Sequence, residues 1–198
     1  YLDVNSISPA TTEKIAALIV PTGADFVKFS IMYAVPLHGV KVPILAGGAK
    51  AAAIAPRLND YGMNIRVIGT DPKATAAIKI LRAACLKGIV ALLFETLLAA
   101  QKYGLRDQTL EYIAETFTDP FAQTADAWIS STAIHAKRRA GEMDEAIEAL
   151  TDVGITPEMA QATKRIHERI AAKNLAQKFG GEWAPSYREV LDAMLQPK

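Results

Sequence analysis

PKATAAIKILRAACLKGIVALLFETLLAAQKYG, residues 72–104, sets the architecture of this 198-residue chain. Asp71 suits the cap of a helix, Pro72 its first position and Gly104 its left-handed stop. Ala and Leu dominate between those marks, so one helix is predicted over 72–103. At about 1.5 Å per residue it would reach about 48 Å. Its middle, residues 83–100, is apolar on nearly every face, and small residues (Ala83, Ala84, Cys85, Gly88, Ala91) permit close helix contact. A helix apolar all round is expected to be buried by other helices or by a second subunit. Lys87 and Glu95 interrupt the run before the roughly 20 apolar residues of a bilayer span. Cys85 is expected to pack in the core.

Upstream of this helix, strands alternate with helices. Residues 1–5 read as a short strand, with Ser8-Pro9 opening a helix to about residue 20. Residues 25–31 (DFVKFSI) alternate as a second strand, 32–41 form a loop with Pro36, His38 and Gly39, and 42–46 (VPILA) form a third strand. Pro43 is expected to push that strand to an edge. Gly47-Gly48 leads to a helix over 49–58, and 64–68 (NIRVI) is a further strand. This pattern predicts an α/β layer with some parallel pairing. No G-x-G-x-x-G occurs in it.

Downstream, no strand is expected. Asp107 caps a helix to about residue 117, Asp119-Pro120 opens another to about 140, and 142–153 forms a separate helix closed by Gly154. Thr156-Pro157 starts a helix to 179, and Ser186 with Glu189 forms a capping box for a last helix to 195. The domains are therefore 1–69, an α/β piece, and 70–198, an all-helical bundle. A net charge of +1, from 22 basic and 21 acidic residues, provides no electrostatic footprint for nucleic acid. One cysteine excludes a disulfide framework and favours a cytoplasmic setting. The first residues, YLDVNSISP, lack the basic start and apolar run of a signal peptide. Because Tyr1 opens inside a predicted strand, a further segment is expected upstream.

Four motifs in this order resemble the 3-hydroxyisobutyrate / 6-phosphogluconate dehydrogenase superfamily of β-hydroxyacid dehydrogenases. The resemblance extends to its bacterial subgroup with a distinct C-terminal helical domain, and it covers residues 1–171. LDVNSISP (2–9) is similar to the family's D-x-S-T-x-x-P turn, and VPILAGG (42–48) to its strand ending in Gly-Gly. GTDPKATAAIK (69–79) resembles the lead into the interdomain helix and places Lys79 on the catalytic lysine. ETLLAAQKYGL (95–105) resembles the E-x-x-x-L-A-x-x-x-G-L ending of that helix. The resemblance implies the C-terminal part of a Rossmann-type domain, joined by a long interdomain helix to a helical bundle. It further implies NAD or NADP as cofactor, a small acidic substrate, and a homodimer in which paired long helices bury one another. The family's N-terminal half, with its dinucleotide loop, is absent from these residues. The substrate loop D-A-P-V-S-G-G is represented by KFSIMYAVPLHG (28–39), where Lys28 replaces the acid. The Asn-Asn that follows the lysine reads Arg82-Ala83.

Site residues follow, each with a plainer alternative. Lys79 near an apolar wall loses hydration and becomes a usable proton carrier; otherwise it is a solvated surface lysine. Arg82, one turn on, can grip an acidic substrate, or form an internal salt bridge. Asn5 and Ser6 would border the nicotinamide, or serve as turn residues. Ser30 and His38 of the loop segment, and His135 in AIHAKRRAGEMDEA, would contact substrate, though His38 reads more readily as a solvated loop histidine. Arg138 and Arg139 could instead pair with Glu142 and Asp144. The histidines and acids show no metal-ligand spacing. The functional expectation is an NAD(P)-dependent oxidoreductase acting on a small hydroxy acid by hydride transfer. Its alternative is a non-catalytic helical dimerisation module with a vestigial α/β half.

Overall fold

The computed structural model describes residues 1–196. The chain forms two compact units, one over Tyr1–Gly88 and one beginning at Ile89. The sequence reading put this boundary at residue 69. It falls instead inside the long helix, because that helix's first turns pack against the sheet.

The first unit holds β1 (Leu2–Asp3), α1 (Pro9–Ile19), β2 (Val27–Ile31), α2 (Val35–His38), β3 (Pro43–Gly47), α3 (Ala51–Asn59), β4 (Asn64–Gly69) and the start of α4 (Pro72–Lys102). The strands lie in the order β1-β2-β3-β4, with β1–β2 and β3–β4 parallel and β2–β3 antiparallel. Ser8 caps α1, its Oγ accepting from the Thr11 N–H at 3.1 Å, and Pro9 stands at the first helical position. β3 lies between β2 and β4, which corrects the edge expected from Pro43. Pro43 is the strand's first residue, where a missing donor is tolerated, and its carbonyl accepts from the Met32 N–H at 2.9 Å. The expected loop over 32–41 contains α2 and a 3-10 turn.

Alternation divides the sheet into two faces. Val27, Phe29, Ile44, Ala46 and Ile65 form an apolar core with Ala51 and Ala55 of α3. Asp3, Lys28, Ser30, Leu45 and Gly47 lie opposite, where register pairs Asp3 with Lys28, Lys28 with Gly47 and Ser30 with Leu45. Helices α1 and α4 share this second side, joined by a 3.0 Å Lys73–Glu13 ion pair. Two glycines make the layering possible. A Cβ on Gly47 would stand 2.7 Å from the Asp71 carbonyl oxygen and 3.0 Å from Thr75 Cγ2. At Gly48 it would stand 2.6 Å from the Phe26 carbonyl oxygen, with φ at +138°. At the far edge, the Asn59 amide accepts from the Ile65 N–H at 2.8 Å and donates to the Ile65 carbonyl at 3.0 Å.

α4 has 31 residues. Asp71 Oδ1 accepts from the Lys73 N–H at 2.9 Å, and Gly104, at φ +74°, ends the helix. Long stretches of it are open: Leu86, Val90, Phe94 and Leu98, spaced four apart, are all exposed, Phe94 to 66%. Cys85 is exposed as well, which corrects the core position expected for it. By length and composition α4 is long and apolar enough to cross a bilayer. Its first half packs against the sheet through Thr75, and Glu95 in its second half accepts from the Met159 and Ala160 N–H groups.

The second unit continues with α5 (Arg106–Glu115), α6 (Phe121–Asp152), α7 (Glu158–Ala171), α8 (Leu175–Lys178) and α9 (Tyr187–Leu195). α6 runs unbroken for 32 residues, where two helices were expected. Gly141 costs only about 1 kcal/mol in a helix interior, and the Arg138–Glu142 pair spans it. The helix expected to reach residue 179 stops at Ala171. Asn174, at φ +50°, turns the chain so that Leu175 is buried with Ala133, Ala184 and Val190. Ser186 makes no cap bond; the Tyr187 N–H donates to Asp126 Oδ1 of α6 at 2.7 Å, replacing the expected capping box. Glu95 of α4, only 9% exposed, accepts from the Met159 and Ala160 N–H groups at 2.7 and 2.9 Å and so caps α7.

Candidate active site

The polar face of the first unit carries the site. β2 is buried on both faces, so its Lys28 is fully removed from water. Such a cation persists only with a partner. Lys28 Nζ donates to Asp3 Oδ2 at 2.8 Å and to the Asn5 carbonyl at 2.5 Å. Asp3 Oδ1 in turn accepts from the Asn5 N–H at 3.1 Å and from Asn5 Nδ2 at 2.7 Å. Burial tends to raise the Asp3 pKa, but hydrogen bonds from Lys28 and Asn5, with the charge of Lys28, hold the carboxyl below the usual aspartate value. Asn5 and Ser6 follow β1 directly and are exposed, at the carboxyl end of a strand where α/β sheets take ligands.

Lys79 lies two turns into α4 and is half-buried. Burial lowers its pKa, and the charge of Lys28 lowers it further. Among the described residues its ammonium meets no carboxylate within ion-pair distance. The arrangement therefore favours an amine that gives up its proton more readily than a surface lysine.

Among the described residues Arg82 makes no salt bridge. Its Nη1 donates to the Met32 carbonyl at 2.9 Å, and its guanidinium lies 4.7 Å from the Tyr33 ring centroid. Tyr33 meets His38 edge-on at 5.6 Å. Arg82 borders a cleft of about 420 Å³ with Tyr33, Leu45, Asn64, Arg66 and Ile78. Its lining offers an anion two guanidinium groups and an amide.

The remaining candidates are placed differently. Ser30 is completely buried, its Oγ without a hydrogen-bond partner among the described residues. His38 ends α2. His135 belongs to the second unit, half-buried on α6. Nearby, Arg138 pairs with Glu142, whereas Arg139 bonds to the Trp128 carbonyl and to the Ser131 and Thr132 hydroxyls. Asp144 pairs with Lys164. No cluster of His, Cys, Asp and Glu suited to a metal ion occurs among the described residues.

The Asp3–Lys28 pair is the feature that motif comparison missed. Its signal was present: a lone lysine inside an otherwise apolar strand demands a buried carboxylate, and Asp3 is the acid on the adjacent predicted strand.

Comparison with known proteins agrees with this architecture. Residues 100–170 match a domain of unknown function, DUF1932. An uncharacterized protein of Methanothermus fervidus is 29% identical over 170 residues, covering 86% of this chain and 65% of its own length. A conserved protein of unknown function, whose solved structure is described as similar to 3-hydroxyacid dehydrogenases, is 38% identical. That likeness covers 87% of this chain and 65% of the other, with a TM-score of 0.55. An imine reductase from Myxococcus stipitatus, solved with NADP+, shares the fold at 16% identity. It covers 98% of this chain and 72% of its own, with a TM-score of 0.69. The chain thus spans about two thirds of the length of the relatives it matches. Residues 100–170 are thus similar to DUF1932, and the fold is the one shared by a protein described as similar to 3-hydroxyacid dehydrogenases and by an imine reductase.

Proposed function

We propose that the full-length protein is an NAD(P)-dependent oxidoreductase that transfers hydride to or from a small acidic substrate bearing a hydroxyl (or imine) group. The observation that carries this reading is Lys79: half-buried, free of any carboxylate partner among the described residues, and depressed in pKa by burial and by Lys28. A nicotinamide would supply or accept the hydride. The exposed Asn5 and Ser6 fit its edge, because Asp3 and Lys28 already hold the Asn5 backbone in place.

Lys79 moves the proton. As the carbinol carbon gives up hydride, Lys79 Nζ takes the hydroxyl proton; in the reverse direction it returns that proton to the oxygen. Arg82 pairs with the substrate's acidic group from within its cleft, as guanidinium does for carboxylate or phosphate. The exposed His38 is the further substrate contact of this reading; Ser30, completely buried, is withdrawn from that role. The pyrophosphate-binding loop belongs to sequence outside these residues.

The partner is a second copy of the chain, seated along α4. Leu86, Val90, Phe94 and Leu98 form an exposed stripe with a four-residue period, the ridge that another helix receives. Beside it a groove of about 360 Å³, lined by Val90, Leu93, Phe94, Leu97 and Leu98, gives room for the partner's side chains.

Lys79→Ala in the full-length protein tests the reaction. General acid/base groups contribute roughly 100- to 10,000-fold, so single-turnover hydride transfer should fall by that order with NAD(P)H affinity preserved. An unchanged rate removes Lys79 from its role and the dehydrogenase reading with it.

A further inference from the structure

Lys28 and Asp3 are the two buried charges on the polar face of the sheet. Between them they make four hydrogen bonds, and three of these involve Asn5: its carbonyl, its N–H and its side-chain amide. A buried pair needs its remaining donors and lone pairs satisfied, and here a single residue, Asn5, supplies all three of those further bonds. We propose that the Lys28–Asp3 pair is the positioning device of the site, clamping Asn5 at the mouth of β1 and holding a fixed positive charge within reach of Lys79.

Several observations support the second half of that assignment. The charged groups on this side of the sheet include Asp3 of β1, Lys28 of β2 and Arg66 of β4, with Glu13 of α1, Asp71 before α4, and Lys73, Lys79 and Arg82 of α4 itself. Glu13 is taken by Lys73, and Arg82 is turned to Met32 and Tyr33. Lys28 lies in register with Gly47, which abuts Thr75 of α4 one turn before Lys79, and its charge opposes the Lys79 ammonium in the same direction as burial. Lys28 is also immobile: it is 0% exposed and held at 2.8 Å by Asp3, so solvent neither screens nor displaces it. One buried cation thus serves two ends of the same site. Through Asp3 and the Asn5 carbonyl it fixes the strand end, and through space it favours the neutral form of Lys79.

The inference rests on Lys79 as the proton carrier, but its test does not require turnover. Two variants of the full-length protein are compared with wild type: Lys28→Met/Asp3→Asn, which removes both charges together, and Lys28→Gln, which keeps a donor but removes the cation alone. Competitive acylation of lysines with acetic anhydride across pH, read by mass spectrometry, gives the Lys79 titration midpoint. Hydrogen exchange gives the protection of the Asn5 amide. Both variants should move the Lys79 midpoint to higher pH. The double variant should also exchange the Asn5 amide roughly tenfold faster, as expected for losing a bond to a charged acceptor. A folded double variant in which either readout stays at its wild-type value, or a folded Lys28→Gln protein whose Lys79 midpoint is unmoved, overturns the inference. Failure of both variants to fold also overturns it, since the pair would then be a core contact. An undiminished hydride-transfer rate in Lys79→Ala would sink the dehydrogenase reading while leaving the labelling result intact.

Discussion

Removing the Glu95 carboxylate should loosen the helical unit selectively. Glu95 is buried and accepts from two successive N–H groups, those of Met159 at 2.7 Å and Ala160 at 2.9 Å, in the first turn of α7. These donors are among the four that a helix leaves unpaired at its start, and Pro157 at the cap position supplies no side-chain acceptor. A hydrogen bond to a charged group is worth about 1.5–3 kcal/mol, and a carboxylate at a helix N-terminus adds about 0.3–1 kcal/mol. Water entering the vacated space recovers part of this. Glu95→Ala is therefore expected to cost about 2–4 kcal/mol, and Glu95→Gln, which keeps one acceptor, about half as much. The assay is urea unfolding followed by tryptophan fluorescence, because both tryptophans, Trp128 and Trp183, lie in the second unit and report on it. The midpoint should fall with an unchanged slope. A Glu95→Ala protein within about 0.5 kcal/mol of wild type, the usual range of an inconsequential surface change, would refute the capping argument.

Gly48→Ala forces a Cβ to within 2.6 Å of the Phe26 carbonyl oxygen at a φ that side chains avoid. A loss of about 2–4 kcal/mol is expected, read by far-UV circular dichroism in urea. Asp3 has a folded pKa below its unfolded value, so its contribution to stability is fully present above about pH 4. It is lost as pH falls through the lower folded value. Thermal melts between pH 7 and pH 2 should show a steeper acid loss in wild type than in Lys28→Met/Asp3→Asn; parallel curves would count against the assignment. Phe94→Glu places a charge in the exposed stripe of α4 and should convert a dimer to a monomer by sedimentation equilibrium, with helicity retained. A wild-type protein monomeric at tens of micromolar would dismiss the α4 interface.

Much of the fold was legible because local chemistry and global role coincide. Asp71, Pro72 and Gly104 mark the ends of α4 by backbone geometry alone, and the structure respects them. The errors lie where a tertiary partner overrides the local signal. Ser186 and Glu189 promise a capping box, but Asp126 from α6 supplies the acceptor. Gly141 looks like a break, yet α6 passes through it. Pro43 suggests an edge, yet the first position of a central strand accommodates it. The site divides in the same way. Lys79 and Arg82 could be named as candidates from motif and helical spacing. Asp3 and Lys28, separated by 25 residues, become a pair only when parallel strands bring them into register.

The Asn59 side chain, set against Ile65, has a consequence for how this sheet can be extended. It occupies both the donor and the acceptor that Ile65 would otherwise present to an incoming strand. β1, at the opposite border, is two residues long and has a neighbour on one side only. The two borders of the sheet therefore differ: at Ile65 the outer border of β4 is already bonded by Asn59, whereas β1 ends beside the exposed Asn5.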